Sequence, residues 1–321
     1  MEKKFILAIT TIAFLLGILC FNTSCAHNHK WSEWETVTNP ECRKEGTRER
    51  ICSSCNSVET EPLAALEHNF QDGICTLCKH EEGASEGLEI VLNPITPNHQ
   101  SASVIGIGEC TDANIVIPGY FDGVPVEQIK ADAFKDCQTL ESIVCSKNIT
   151  YIAASAFENC QNLTSVTASR EFGVGNSAFE NCYALTDFPF ELISFVGNSS
   201  FKKCRNLTGT LYFPETFSGE IGKSAFEGCL QIESVVFSDK TSIIGDYAFK
   251  SCFALRNIYF GKELLKIGTD AFPATELDKL YPQVSDLRAT YPLSEKHWDF
   301  LVSNYGFNGT IKFNSSRPAK P

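Results

Sequence analysis

A phenylalanine preceded by alanine or serine recurs at a nearly constant interval through the middle of the chain. The seven positions, 22 to 25 residues apart, are Phe134, Phe157, Phe179, Phe201, Phe226, Phe249 and Phe272. Three residues after each of the first six stands a cysteine: Cys137, Cys160, Cys182, Cys204, Cys229 and Cys252. One such unit exposes an apolar stripe that it cannot bury alone, whereas stacked units bury it as continuous rows. The repeat therefore predicts a solenoid in which these cysteines act as small buried hydrophobic residues.

Two units carry the pattern Ile-Gly-x-x-Ala-Phe-x-x-Cys most regularly, Ile221–Cys229 and Ile244–Cys252. This pattern resembles the BspA-like branch of the leucine-rich-repeat family. The resemblance implies a leucine-rich-repeat solenoid, an α/β-type right-handed superhelix that is rich in β-structure and has little helix. It also implies that one strand of each coil lines a concave sheet, and that the protein serves adhesion to host or neighbouring-cell proteins.

The resemblance covers about 88–282, and the chain from residue 85 onward is expected to form three regions. Residues 85–125 are expected to form an N-terminal capping hairpin, in which Asp122-Gly123 is a turn signal. Residues 126–282 are expected to form about seven coils, and residues 283–321 a C-terminal cap and tail.

Two local departures from the repeat carry expectations of their own. Coils three and four have Pro189 and Pro214 in their strands, so the strands are expected to bulge there. In the cap, Ser294 to about Tyr305 is predicted to form a short helix. Trp298 and Phe300 of this helix would cover the open end of the solenoid.

The N-terminal residues 1–24 have the layout of a secretory signal, with Lys3 and Lys4 followed by an uncharged apolar run at 5–21. A retained transmembrane anchor is the alternative, although this run is slightly short for a span. Ser24-Cys25 resembles the end of a bacterial lipoprotein signal, which implies acylation of Cys25; an ordinary cut after Ala26 is the other possibility. The expected location is the cell surface or outer membrane, as a lipoprotein, with a secreted or periplasmic protein as the alternative.

Residues 25–84 are predicted to form a small metal-binding-like module and a linker, because a segment this polar needs metal or crosslinks to fold. The candidate ligands of a structural zinc are His29, Cys42, Cys52, Cys55, His68, Cys75, Cys78 and His80. They allow one zinc ribbon made by the two Cys-x-x-Cys pairs, or two sites made by the first four and the last four residues. Disulfides and free thiols remain the alternatives. Trp31-Ser-Glu-Trp34 and Arg50-x-Cys52-x-x-Cys55 resemble short Cys/His-rich repeats of bacterial surface proteins.

Charge and motifs exclude several functions. The formal net charge of −12 argues against a nucleic-acid partner, which would require a basic surface. The sequence contains no Ser nucleophile elbow, no His-Glu-x-x-His and no phosphate-binding glycine loop, so we predict that the protein is not an enzyme. An extracellular hydrolase is the less favoured reading.

The outward side chains of the predicted strands form a candidate ligand-binding surface. One outward residue per strand gives the column Val144, Thr167, Pro189, Tyr212, Val236, Tyr259 and Tyr281. Tyr212, Tyr259 and Tyr281 are the proposed ligand contacts, since exposed tyrosine is frequent in binding surfaces. Ordinary cross-strand packing is the alternative. These observations predict an exported, lipid-anchored surface protein that binds an extracellular protein or glycan, with a spacer that has no specific ligand as the alternative.

Overall fold

The computed structural model describes residues 28–42, 44–71, 73–77, 81–94, 99–273, 288–292, 310–313 and 316–320. The chain divides into two units, Met1–His68 and Asn69–Pro321. The predicted signal and helix, together with Cys25, Cys78, His80 and Tyr281, lie outside the described residues. Within the described residues, no helix is both long enough and apolar enough to cross a membrane.

The first unit is a three-stranded antiparallel sheet. Its strands are β1 (Glu35–Thr38), β2 (Gly46–Ile51) and β3 (Val58–Leu63), in the order β1-β2-β3. Its apolar side chains are largely exposed, Val37, Ile51 and Val58 among them. The sheet therefore has little hydrophobic core of its own, as the polar composition of this segment predicts.

The second unit begins with short antiparallel pairs. The strands are β4 (Phe70–Gln71), β5 (Ile74–Cys75), β6 (Glu89–Leu92), β7 (Ala102–Gly106), β8 (Asn114–Val116), β9 (Tyr120–Phe121) and β10 (Val124–Ile129). Strands β4 and β5, β6 and β7, and β9 and β10 pair in antiparallel fashion. Asp122 and Gly123 join the last pair with φ of 50° and 77°, which is typical of a two-residue type I′ turn.

From β10 onward most coils contribute two strands, one before and one after the repeat Phe, and each strand pairs in parallel with the equivalent strand of a neighbouring coil. The strands that precede each repeat Phe continue a ten-stranded sheet: β12 (Tyr151–Ile152), β14 (Phe172–Val174), β15 (Ile193–Val196), β17 (Gly219–Ile221), β19 (Thr241–Ile244) and β21 (Lys266–Ile267). The strands that follow it are β11 (Ser142–Val144), β13 (Ser165–Thr167), β16 (Thr208–Tyr212), β18 (Gln231–Val236), β20 (Asn257–Tyr259), β22 (Arg288–Tyr291) and β23 (Thr310–Phe313).

This architecture confirms the predicted β-rich leucine-rich-repeat solenoid and adds a second strand to each coil. The sequence pattern predicted one strand per coil, after the Cys. The stretch that ends in Ile or Val five residues before each repeat Phe forms the other, because this aliphatic residue is buried in the core while the backbone pairs with the neighbouring coil. Ile221, Ile244 and Ile267 are aligned in this way.

The sheet that follows the Phe positions is interrupted at the third coil. Strands β8, β11 and β13 form one piece, and β16, β18, β20, β22 and β23 form the other. Between them, Pro189 precedes a 3₁₀-helix at Phe190–Leu192. Proline has no N–H for the ladder, so the departure predicted at Pro189 appears as a break in the sheet. Pro214 lies just beyond the end of β16 and leaves that strand intact.

The repeat phenylalanines form a continuous stack through the core. Neighbouring rings in the series from Phe134 to Phe272 are 5.0 to 5.5 Å apart and within 10° of parallel. A second row that the repeat pattern did not reveal packs edge-on against this stack: Phe188, Phe213, Phe237 and Phe260. The two rows supply the large buried surface on which the solenoid depends.

Tight turns carry the chain past each stacked ring. The residue two before each repeat Phe has positive φ, and so does the residue two after each of the first six, as at Ser155 and Asn159 around Phe157. Asp, Asn, Ser and Gly hold most of these positions, because they tolerate the left-handed conformation best. The Phe157 N–H donates to the Ala178 carbonyl of the next coil at 2.8 Å, and the equivalent bond occurs at every other repeat Phe from Phe134 to Phe249.

The glycine of the Ile-Gly pair is required by close approach of neighbouring coils. A Cβ at Gly222 would lie 2.4 Å from the carbonyl carbon of Gly197. Such a contact is too short for any side chain, so this corner stays glycine where the coils stack directly on one another.

Replacement of a central ring tests the stack. We expect Phe226→Ala to lower the free energy of unfolding by about 3–5 kcal/mol, because the residue is fully buried between Phe201 and Phe249. Denaturant titration measures the change. The control is Phe195→Ala, where the side chain is 47% exposed and the expected loss is within about 0.5 kcal/mol. Equal effects of the two substitutions would contradict the stack.

Candidate functional site

The repeat cysteines make a buried ladder of hydrogen bonds and not a reactive site. The thiol of Cys160 donates to the Phe134 carbonyl of the preceding coil at 3.0 Å. Four further thiols repeat this bond at 3.1 to 3.2 Å: those of Cys182, Cys204, Cys229 and Cys252. Burial raises the pKa of Cys160 to about 12 and raises the pKa of the other four as well. Thiols in this state are poor nucleophiles, which supports the structural role predicted from the sequence for these five. Cys137, which the repeat also predicts to be buried, is only partly buried.

The outward column of the second sheet is aligned by the pairing of the strands. Val116, Val144 and Thr167 are paired across β8, β11 and β13. Val144 is 41% exposed, and Thr167 is exposed beside it. A cavity of about 430 Å³ lies further along, where Tyr212 is one of the lining residues. The described part of this sheet therefore presents mixed apolar and hydroxyl groups to solvent.

The tyrosines of the column occupy different environments. In the register, Tyr212 pairs with Val236, Val236 with Tyr259, and Tyr259 with Thr290. Tyr212 is partly exposed, whereas Tyr259 is only 2% exposed. Tyr281 lies outside the described residues. The residue that pairs with Tyr259 on the next strand, where the predicted column had Tyr281, is Thr290.

Tyr259 therefore differs from the exposed ligand contact that the alternation predicted. Its hydroxyl donates to the Asp239 carboxylate at 3.0 Å. Burial, followed by the interaction with Asp239, raises the pKa of Tyr259 well above its usual value. Hydrogen bonds from Lys262 and Tyr259 lower the pKa of Asp239 despite the opposing effect of burial. Tyr259 thus orients a carboxylate, which is a role that strand alternation alone does not reveal.

The C-terminal tail lies against the same end of the second sheet. Tyr212 donates its hydroxyl to the Ala319 carbonyl at 3.3 Å, and Arg317 donates to the Phe213 carbonyl. Arg317 also pairs with Glu215 at 3.0 Å, and Lys320 pairs with Glu191 at 3.2 Å. These contacts of the tail were not predicted from the sequence, in which the tail shows only two basic residues, Arg317 and Lys320, near prolines.

The first unit contains a second candidate site, made by His29, Cys52 and Cys55. Their ligand atoms all lie within 4.8 Å of one another, and Cys55 Sγ is 3.4 Å from His29 Nδ1. The neighbouring thiols raise the pKa of His29, chiefly through the hydrogen bond with Cys52. One imidazole and two thiols at this spacing fit the donor preference of zinc, so these residues could hold a metal.

Cys42 does not join this group: of the predicted set His29, Cys42, Cys52 and Cys55, the structure brings together His29 and the last two cysteines. Cys52 lies at the end of β2 and is bridged to Trp31. Cys42 precedes the other end of β2 and is bridged to Leu66. The length of the strand separates the two cysteines, and the Cys42 thiol lies within 4.8 Å of the His68 imidazole instead. Cys75 belongs to the second unit, in β5.

Stacked tryptophan and arginine side chains support the His29 group. The guanidinium of Arg50 lies 5.2 Å from the Trp31 ring and 4.6 Å from the Trp34 ring. Arg50 also pairs with Glu59, and the Trp31 ring stacks on His29 at 4.8 Å. These contacts give a physical reason for the Trp-Ser-x-Trp and Arg-x-Cys-x-x-Cys motifs, since cation–π pairs replace a missing hydrophobic core.

Parallel strands at every repeat, one Phe per coil and a glycine corner define a leucine-rich-repeat solenoid protein. The sequence profile of the BspA type leucine rich repeat region matches residues 114–218 and 174–287, in six copies. These matches cover more than half of the chain, which therefore belongs to the BspA-type leucine-rich-repeat family. No curated protein sequence matches the chain significantly.

Solved structures share the fold. A leucine rich cell surface protein from Faecalibacterium prausnitzii A2-165 is 24% identical, with a TM-score of 0.54; the match covers 65% of this chain and 54% of that protein. The chain thus spans about half the length of that relative. A leucine rich repeat protein from T. pallidum is 22% identical over 63% of this chain and 96% of its own, with a TM-score of 0.49.

Membership of this family sets the coarse function. Its proteins are repeat proteins, a class without a catalytic activity of its own, and they suggest binding or recognition through the repeats. The family and its cell-surface relatives also suggest an extracellular or surface location.

Alkylation of the native protein at pH 8 tests both sets of cysteines. We expect iodoacetamide to label Cys137, which is partly exposed, and to spare the five buried repeat cysteines. With a pKa of about 12, only about one Cys160 thiol in ten thousand is ionised at this pH. If His29, Cys52 and Cys55 hold zinc, Cys55 becomes reactive only after a chelator is added. Mass spectrometry of the peptides and elemental analysis provide the readout.

The same experiment separates the alternatives for the first unit. Labelling of Cys55 after reduction, and not after chelation, would indicate a disulfide. Labelling under every condition, with no zinc bound in reducing buffer, would contradict the metal site. Rapid modification of Cys204 in the native state would contradict the buried ladder.

Proposed function

We propose that this protein is an exported, lipid-anchored surface protein that binds an extracellular protein or glycan through the outer face of its second sheet. The observation that carries the proposal is the column Val116, Val144 and Thr167, which combines exposed apolar and hydroxyl groups on rigid, paired strands. Exposed apolar side chains surrounded by polar groups are typical of recognition surfaces.

Concave space beside this column strengthens the proposal. A cavity of about 230 Å³ is lined by Val116, Val144, Ser146, Lys147 and Glu81, among others. Both charges and an apolar wall are therefore available within one recess. Ligand sites commonly combine a recess of this kind with a few oriented polar groups.

The construction of the solenoid explains why this face suits binding. Its strands are fixed from below by the Phe stack and laterally by the neighbouring coils, so the outward side chains lose little backbone entropy when a ligand binds. On a preorganised surface, less of the interaction free energy is spent on ordering the backbone, so more of it contributes to affinity. The raised pKa values of the buried thiols also keep the repeat cysteines out of any chemistry.

The anchor and the metal form the remaining part of the proposal. The signal-like residues 1–24 and the Ser24-Cys25 junction support acylation of Cys25. The group His29, Cys52 and Cys55 supports a structural zinc between this anchor and the repeats, which would stabilise a unit that has few buried apolar residues.

Substitution on the sheet face tests recognition. We expect Val144→Asp together with Tyr212→Ser to remove binding to the extracellular-matrix proteins or glycans that the wild-type protein captures on an array, with little change in thermal stability. The matched control is Leu265→Ser, which removes a 69% exposed leucine from beside the other sheet. Unchanged capture by the double variant would contradict this face, and no capture by the wild type would favour the spacer.

Fatty-acid labelling tests the anchor independently. Cells that express the full chain should incorporate labelled palmitate into the protein, and Cys25→Ser should abolish the label because acylation requires this thiol. The control is Cys137→Ser, which leaves Cys25 in place. A wild-type protein without label, cut after Ala26, would show that ordinary secretion occurs instead.

A further inference from the structure

The C-terminal tail of this chain already occupies part of the proposed binding surface. We define the tail seat as the surface formed by Glu191, Tyr212, Phe213, Glu215 and Asp239, which meets the described tail residues 316–320. The tail contacts successively earlier elements: Arg317 contacts Glu215, Ala319 contacts Tyr212, and Lys320 contacts Glu191. It therefore runs back along the carboxyl ends of the strands, and all of these residues belong to the second unit.

The tail seat and the tail are complementary in charge and in hydrogen bonding. Arg317 is the central contact: its guanidinium pairs with Glu215, donates to the Phe213 carbonyl and acts on the pKa values of Asp239 and Tyr259. Its side chain is only 18% exposed. Planar guanidinium groups satisfy carboxylate and carbonyl acceptors at the same time, which a lysine ammonium does less well.

The seat also recognises main chain. The hydroxyl of Tyr212 donates to the backbone carbonyl of Ala319, two residues after Arg317. A side-chain cation and a backbone carbonyl at this separation are features of a peptide. A glycan has neither a guanidinium nor a peptide main chain, so the contacts favour a peptide over a glycan, the two ligand classes that the proposed function leaves open.

Several features show that the tail is a loosely held occupant. Both of its ion pairs include exposed groups, and exposed pairs contribute little to stability. Within the described residues, Arg317 Nε is buried without a hydrogen-bond partner. A cavity of about 430 Å³ remains among Tyr212, Pro214, Arg317 and their neighbours. The seat therefore leaves a donor of this tail unpaired and has room that this tail does not fill.

We propose that the tail seat binds an extended peptide segment of a partner protein that carries an arginine, and that the chain's own tail competes with this segment. The proposal rests on the proposed function and assigns its partner class. A tethered tail acts at an effective concentration in the millimolar range, so it lowers the apparent affinity for a free peptide without any change of the seat. Removal of the tail should make the seat available.

Fluorescence anisotropy with a labelled synthetic peptide of residues 314–321 tests the proposal. The chain truncated after Phe313 should bind this peptide at least about ten-fold more tightly than the full chain does. The peptide with Arg317→Ala should bind the truncated chain at least about ten-fold more weakly. In the full chain, Arg317→Ala should increase peptide binding, while the control Arg170→Ala, an exposed arginine elsewhere on the solenoid, should have no effect.

Variants of the seat keep the test valid if truncation impairs folding. In a chain that already carries Arg317→Ala, the further substitution Glu215→Lys should weaken binding of the wild-type peptide. The same chain should bind a peptide that carries Arg317→Glu more tightly. Because this charge exchange requires direct contact, a merely structural role of the tail would not produce it. Circular dichroism and thermal melting confirm that each variant is folded.

Three outcomes would overturn the proposal. Equal peptide binding by the full and truncated chains would show that the tail does not compete, and absence of binding by every folded variant would show that the seat is only a clamp. A full chain that is dimeric, and monomeric after truncation, would assign the seat to the tail of a second copy. None of these outcomes affects capture of glycans or matrix proteins measured with Val144→Asp alone, which leaves Tyr212 and the rest of the seat unchanged, so failure here is distinguishable from failure of the proposed function.

Discussion

Stacking of one phenylalanine ring on the next, at every coil, is the interaction on which the rest of the molecule depends. The rings from Phe134 to Phe272 repeat at 5.0 to 5.5 Å, close to the spacing of hydrogen-bonded strands. Because the two spacings match, the stacked rings, the paired strands and the thiol-to-carbonyl bonds all repeat at the same distance from one coil to the next. Each coil is stable only because its neighbours cover its apolar edges.

This common repeat distance constrains the inward-facing residues and leaves the outward-facing residues available for binding. Residues that face inward repeat because the stack requires it, and the five inner cysteines are consequently bonded and protonated. Residues that face outward are free to differ from coil to coil. The repeat does not require the side chains of Val144, Tyr212 and Asp239, so these residues are available for a specific function. The tail bonds to Tyr212, and its Arg317 acts electrostatically on Asp239.

Sequence reasoning was most successful where the interaction is between residues one repeat apart. It located the Phe stack, the inner cysteines and the sheet break at Pro189, since each depends on a local pattern. It failed to find the second row of rings, such as Phe213, although they recur every 23 to 25 residues, because only four of the coils carry such a ring. It also grouped Cys42 with Cys52, because spacing along the chain does not show that an extended strand separates them.

The amino-acid sequence by itself determined the class of fold and the identity of the inward residues, because a period of about 23 residues allows only stacked coils to bury its apolar stripe. Only the tertiary structure decided which outward residues are available to a ligand. Tyr212 and Tyr259 occupy equivalent positions, yet one is partly exposed and the other is buried beside Asp239. Tyr212 also contacts the tail, whose Arg317 lies 104 residues from its acceptor Phe213, and no repeat encodes a contact over such a separation.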